Sequence, residues 1–185
     1  MNKDIEYKSL INEVPDFPKK GVSFKDISPL LAHKNMFRLA LFDMLQGHNN
    51  ELWAGVDSRG FLFASGLSQV NGGGILMIRK KGKLPPPVCS SVVKTEYSYD
   101  SLEIQPNSGD HRKSVVLVDD VLATGNTLNA SYDLLVNNGY DVLGVSVFID
   151  LLYLHDEDFT VGGHKVHSVI PVSYTHLTLP TICSV

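Results

Sequence analysis

Cysteine is nearly absent: the 185 residues hold two, Cys89 and Cys183, far apart and without the paired spacing of metal ligands. A disulfide framework is excluded, and a reducing cytoplasm is the simpler setting. No apolar run is long enough to span a bilayer, and the opening Met1-Asn2-Lys3-Asp4-Ile5-Glu6 lacks the hydrophobic stretch of a signal peptide. Neither export nor a membrane partner is expected. Excess charge of one sign is also missing. A net charge of −4 and a pI near 5.9 offer no basic surface to a nucleic acid. Repeats and heptads are absent. The final stretch, Thr175 to Val185, contains no Lys, Arg, Asp or Glu. It is read as a sequencing or cloning scar rather than native chain, and it is set aside from the fold.

What remains suffices for one sizeable core and falls short of two comfortable domains. Helical patterns over Met36 to Leu45 and Phe61 to Val70 alternate with apolar runs over Leu52 to Val56 and Ile75 to Ile78. Val142 to Ile149 and Val166 to Val172 add two more predicted strands. Strands alternating with helices predict an α/β fold with a mainly parallel central sheet flanked by helices. Ligands in such sheets bind beyond the carboxyl ends of the strands. Asp57, Arg79 and Asp119 are each expected to follow a strand, so three loops should meet at one site.

The most informative stretch runs from Val115 to Leu128. Val115-Val116-Leu117-Val118 reads as a strand buried on both faces. Asp119-Asp120 ends it, and Ala123-Thr124-Gly125-Asn126-Thr127 forms a loop of small and hydroxyl residues. A helix follows, with Leu128, Tyr132, Leu135 and Val136 at helical spacing and Gly139-Tyr140 as its stop. A strand, a loop and a helix N-terminus together collect a phosphate on open N–H groups. Two carboxylates there would repel that phosphate, so they should face sugar hydroxyls or a magnesium ion. A phosphorylated sugar is the natural ligand. The plainer alternative is an ordinary strand–helix turn capped by the acid pair.

These residues resemble the phosphoribosyl pyrophosphate signature of the type I phosphoribosyltransferases. The resemblance implies that Asp119 and Asp120 hold the ribose hydroxyls, while Ala123, Thr124, Gly125, Asn126 and Thr127 hold the 5′-phosphate. It implies that the loop Asp57-Ser58-Arg59-Gly60 meets pyrophosphate; read alone, that loop favours a plain N-cap by Asp57 or Ser58 beside a solvated Arg over an anion nest. Arg79-Lys80-Lys81-Gly82-Lys83 carries four cations in five residues. As a bare charge run it would be a solvated face. Beside the other loops, Arg79, Lys80 and Lys83 become candidates for neutralising a leaving pyrophosphate.

Further matches point to the adenine-using branch of that family. Asp16-Phe17-Pro18 and Gly21-Val22-Ser23-Phe24-Lys25-Asp26-Ile27-Ser28-Pro29-Leu30 resemble its N-terminal hood, about residues 1–35. Ala54 to Phe63, Ile78 to Pro85, Glu96-Tyr97 and Leu102 to Gln105 also resemble it, so the likeness runs from Asp16 to Ile149. The backbone of Val22 to Lys25 is then expected to read the adenine edge. Phe24 either stacks on the purine or packs under the hood. A polar lid, about residues 86–105, would bring Tyr97 to the substrate and Glu96 to the base as the catalytic acid–base group. Its alternative is an exposed hairpin in which Glu96 is a surface charge. One domain over residues 1–174, Mg²⁺ carried mostly by the substrate, a homodimer and no nucleic-acid partner complete the expectation. Three departures stand out. Ser23 occupies a usually aliphatic position, Pro86-Pro87 follow Pro85 where Gly is common, and Asn126 replaces a frequent glycine.

Overall fold

A computed structural model describes residues 3–49, 52–94, 99–106 and 114–173. Helix α1 (Lys3–Ser9) precedes a short hairpin of β1 (Asn12–Val14) and β2 (Phe24–Asp26). Helices α2 (Ser28–Ala32) and α3 (Lys34–Met44) follow, then β3 (Leu52–Val56), α4 (Gly60–Asn71) and β4 (Ile75–Lys80). A second hairpin, β5 (Cys89–Lys94) and β6 (Tyr99–Ile104), leads to β7 (Ser114–Leu122), α5 (Asn126–Asn137) and β8 (Asp141–Leu151). A 3₁₀ turn at Leu152–Leu154, the strands β9 (Thr160–Val161) and β10 (His164–Lys165), and β11 (His167–Val172) finish the described chain.

The seven-stranded sheet has the order β11-β8-β7-β3-β4-β6-β5. Every pairing from β11 to β4 is parallel, while β6 runs antiparallel to both β4 and β5. The expected mainly parallel α/β sheet is present. Its central strands are continuous apolar runs because both faces are covered. Leu117 and Val115 of β7 pack with Leu128 and Leu135 of α5 on one face. Val116 and Val118 turn to the other face, against Phe63 and Leu67 of α4 and Met44 of α3. There the Phe63 and Phe148 rings stack at 5.8 Å, with Phe37 edge-on to Phe63 at 5.5 Å.

Two expectations need correction. Strand β4 continues through Arg79 and Lys80, which pair with Glu103 and Leu102 of β6, so Arg79 lies within a strand rather than after it. Likewise β7 extends to Leu122 because β8 pairs with it that far, so the acid pair sits inside the strand end. The polar stretch expected as a lid loop is built, over its described part, as the antiparallel hairpin β5–β6. Glu96, Tyr97 and the tail from Thr175 lie outside the described residues.

Phe63 is fully buried between two aromatic rings. Truncation to Ala should destabilise the fold by about 3–5 kcal/mol, through lost transfer energy plus an unfilled cavity. Urea denaturation of the Phe63→Ala variant measures this.

Candidate active site

Strand β3 is buried along its whole length and delivers the Asp57-Ser58-Arg59-Gly60 turn to the carboxyl end of the sheet. The Asp57–Ser58 peptide is cis. The helix cap falls on Arg59, whose side chain makes no capping bond, so neither Asp57 nor Ser58 takes that role. Asp57 turns instead to the next strand. Its Oδ2 accepts from Arg79 Nε at 3.3 Å and lies 3.5 Å from Lys83 Nζ. Arg79 also donates to the Lys83 carbonyl at 3.0 Å, folding the cationic turn back on itself. Buried Glu103 on β6 accepts from the Gly82 amide at 2.9 Å and ties that turn to the hairpin.

Gly60 is required by proximity. A Cβ there would lie 3.0 Å from both Asp119 Oδ1 and the Val118 carbonyl oxygen. The pyrophosphate-type turn and the acid pair are thus in contact through backbone. Arg59 adds a second link, with its Nε 2.8 Å from Asp120 Oδ2. The N–H is not aimed at that oxygen, so the contact is an ion pair, and Oδ2 is buried without a hydrogen bond among the described residues. Asp119 Oδ1 accepts from the Asp120 amide at 2.9 Å. Burial and the neighbouring Asp120 charge push the Asp119 carboxyl well above the usual carboxylate range. Burial also raises Asp120, and the Arg59 guanidinium opposes it.

Beyond the acids, residues 121–128 and Asp119 line a cleft of about 80 Å³. Gly125 stands at the N-cap of α5 with φ 78°, so the left-handed position falls on glycine and Asn126 begins the helix. The replacement at Asn126 therefore meets ordinary helical backbone. No side-chain cap closes α5, whose first residues Asn126, Thr127 and Leu128 line the cleft. Ala123, Thr124, Gly125, Asn126 and Thr127 all line it, as expected from their order.

The hood reaches the same place. Arg59 donates through Nη1 to the Lys25 carbonyl at 2.9 Å, and its Cζ lies 4.5 Å from the centroid of the Phe24 ring. Phe17 meets that ring edge-on at 5.2 Å. Phe24 is only half-buried, so it is not a plain core aromatic. Glu13 of β1 pairs with Lys25 Nζ at 2.9 Å and accepts from Ser23 Oγ at 2.5 Å. These contacts with Ser23 and Lys25 hold the Glu13 carboxyl below its ordinary value. The hydroxyl at position 23 thus stitches the hood hairpin.

Four segments far apart in sequence converge: the hood at Val22 to Lys25, the turn at Asp57 to Gly60, the cations Arg79 and Lys83, and Asp119 to Thr127. Lys80 lies on the same strand end. Sequence reasoning did not single out Glu13, Glu103, Asp150, His155 or Phe159. A signal existed for Asp150 alone. It ends an apolar strand, the same placement that drew attention to Asp57 and Asp119.

The Phosphoribosyl transferase domain family matches residues 32–158. An adenine phosphoribosyltransferase of Bdellovibrio bacteriovorus is 40% identical over 169 residues, covering 90% of this chain and 99% of its own. The crystal structure of the adenine phosphoribosyltransferase of Thermoanaerobacter pseudethanolicus superposes with a TM-score of 0.82 at 38% identity, covering 91% of this chain and 99% of that one. The enzyme of Giardia lamblia, solved in complex with 9-deazaadenine, has a TM-score of 0.81 at 31% identity over 94% of this chain and 100% of its own.

A buried acid whose pKa is raised makes the folded state the stronger proton binder. Stability is then highest below the ordinary value near ~4 and falls as pH rises through the folded value. Asp119→Asn should therefore melt roughly 2–4 °C above the parent at pH 7, with the gap closing as the pH approaches about 4. Calorimetric melting at a series of pH values checks the sign.

Proposed function

The chain belongs to the phosphoribosyltransferase family, among its adenine phosphoribosyltransferases, and on that premise we propose that it converts adenine and phosphoribosyl pyrophosphate to AMP and pyrophosphate. This is a purine-salvage reaction. The observation that carries the reading is Arg59, which contacts the hood at Lys25 and Phe24 and the acid pair at Asp120. A base-reading segment is thereby held against a ribose-reading one.

In the proposed reaction the C1–oxygen bond of the ribose breaks and its electron pair leaves with pyrophosphate. Arg79 and Lys83, gathered by Asp57, and the amides of the Asp57-to-Gly60 turn stabilise that charge as it develops. Asp119 and Asp120 hold the ribose hydroxyls and favour the transient positive charge at C1. Arg59 Nε lies 2.8 Å from Oδ2 of Asp120 and offsets part of the charge there. The loop from Ala123 to Thr127 holds the 5′-phosphate. Adenine N9 attacks from the opposite side, with Val22 to Lys25 reading the base edge and Phe24 beside it. Glu96 takes the proton that N9 loses, and Tyr97, next to it in sequence, is a further substrate contact. Mg²⁺ would arrive with the substrate, because two carboxylates at one strand end are too small a donor set for a protein cage.

The same reading takes residues 1–174 as one phosphoribosyltransferase unit, in a reducing cytoplasm that suits the free thiol of Cys89. It takes the working form as a homodimer. Leu39 and Phe42 on α3 and Leu62 on α4 are exposed, and a second copy would cover them.

Purified protein should form AMP from adenine and phosphoribosyl pyrophosphate, with hypoxanthine and guanine giving little or no turnover. Glu96→Ala should lower kcat by roughly 10²–10⁴-fold. Binding of phosphoribosyl pyrophosphate without turnover of any base would sink the proposal in favour of a sensor. Sedimentation equilibrium should return twice the chain mass of 20.4 kDa; a monomer active at the same concentration would refute the dimer.

A further inference from the structure

The cleft at Ala123 to Thr127 rests on a support that the reaction above does not use. The ring of Phe159 points end-on at Gly125: a Cβ on that glycine would lie 2.0 Å from Phe159 Cζ and 2.7 Å from both Cε atoms. Glycine at 125 therefore answers two constraints, the left-handed φ of 78° and the ring beneath it. Phe159 is itself positioned. Its amide donates to the Asp156 carbonyl at 3.0 Å, and its ring centroid lies 5.0 Å from that of His155. The His155 side chain is only 6% exposed and is held at both nitrogens, by Asp150 Oδ1 at 2.7 Å and the Asp156 carbonyl at 3.0 Å. Asp150 sits on β8 directly opposite Leu122, the last residue of β7 before the loop. The chain of contacts closes on itself, from the end of β7 across to β8, out through His155 and Phe159, and back under Gly125. A little further on, a Cβ at Gly162 would lie 2.0 Å from Tyr132 Cζ, so the same segment also packs on α5.

We propose that Phe159 and His155 are positioning residues for the phosphate loop, holding the backbone at Gly125 in the shape that receives the 5′-phosphate of the substrate. The inference rests on the function proposed above and adds residues to its phosphate site. Neither side chain touches substrate. Asp150 anchors His155, His155 fixes the tilt of the Phe159 ring, and the ring sets the height of the loop. The effect is confined to one substrate, because the hood is held by Arg59 and the Glu13–Lys25 pair rather than by Phe159 or His155.

The test is calorimetric titration of Mg²⁺–phosphoribosyl pyrophosphate into the full chain, with steady-state kinetics beside it. Variants are Phe159→Ala, Phe159→Leu, His155→Ala and the Phe159→Ala/His155→Ala double. Phe159→Ala should weaken phosphoribosyl pyrophosphate binding about tenfold and raise its KM in step. The KM for adenine should stay within about twofold of the parent, a split that general loss of stability would not produce. Phe159→Leu should fall between, and the double variant should bind no worse than Phe159→Ala, because His155 acts through the ring. If Phe159→Ala does not fold, Phe159→Leu and His155→Ala decide the matter. Unchanged phosphoribosyl pyrophosphate binding in a folded variant overturns the proposal, as do parallel losses for both substrates or additive losses in the double variant. A parent protein that binds phosphoribosyl pyrophosphate but makes no AMP would sink the proposed function and leave this inference standing.

Discussion

A single guanidinium joins parts of the site that the fold alone would leave separate. Arg59 leaves β3 at the start of α4, yet its contacts lie on the hood and at the end of β7. The hood hairpin is small, with three residue pairs between β1 and β2, and it has little apolar surface of its own. Arg59 gives it an address. The planar fork can meet all three groups together, since one edge donates to the Lys25 carbonyl, the face lies on Phe24, and Nε meets a carboxylate. A lysine would supply the charge without the plane or the fork.

The acid pair shows why this bridge is needed. Burial raises the proton affinity of both adjacent carboxylates inside the strand end, and the Asp120 charge raises that of Asp119 further. Left alone, they would hold protons more tightly than free carboxylates. Arg59 favours the ionised form of both. The cationic turn repeats the arrangement in reverse, with Asp57 collecting Arg79 and Lys83. Each cluster of one sign is thus steadied by a single residue of the other sign, carried on the same turn after β3. Such arrangements lower stability where function requires charge.

Much of the framework was legible because it depends on local pattern. Val115 to Val118 and Leu52 to Val56 are apolar throughout, as strands covered on both faces must be. Gly125 and Gly60 announce unusual backbone or close approach. The outer hairpin was harder to read. Ser90, Ser91 and Glu103 belong to strands near a sheet edge, where polar residues are tolerated and the alternation that marks a strand fades. The extension of β4 through Arg79 was hidden for the same reason, since it depends on a partner strand recruited from later in the chain. Contacts such as Phe159 under Gly125 leave no trace in local spacing. They follow from where β8 delivers its next turn, which only the three-dimensional arrangement reveals.

The seam between the parallel sheet and the outer hairpin is short: β4 meets β6 through Arg79 with Glu103 and Lys80 with Leu102. Two of those residues also belong to the charged cluster, because Glu103 holds the Gly82 amide and Arg79 holds Asp57. The hairpin is therefore tied to the cationic turn. The residues that pair the outer strands to the parallel sheet are thus also those that hold the cationic turn in place. The edge of the sheet and the charge beside it share one set of contacts.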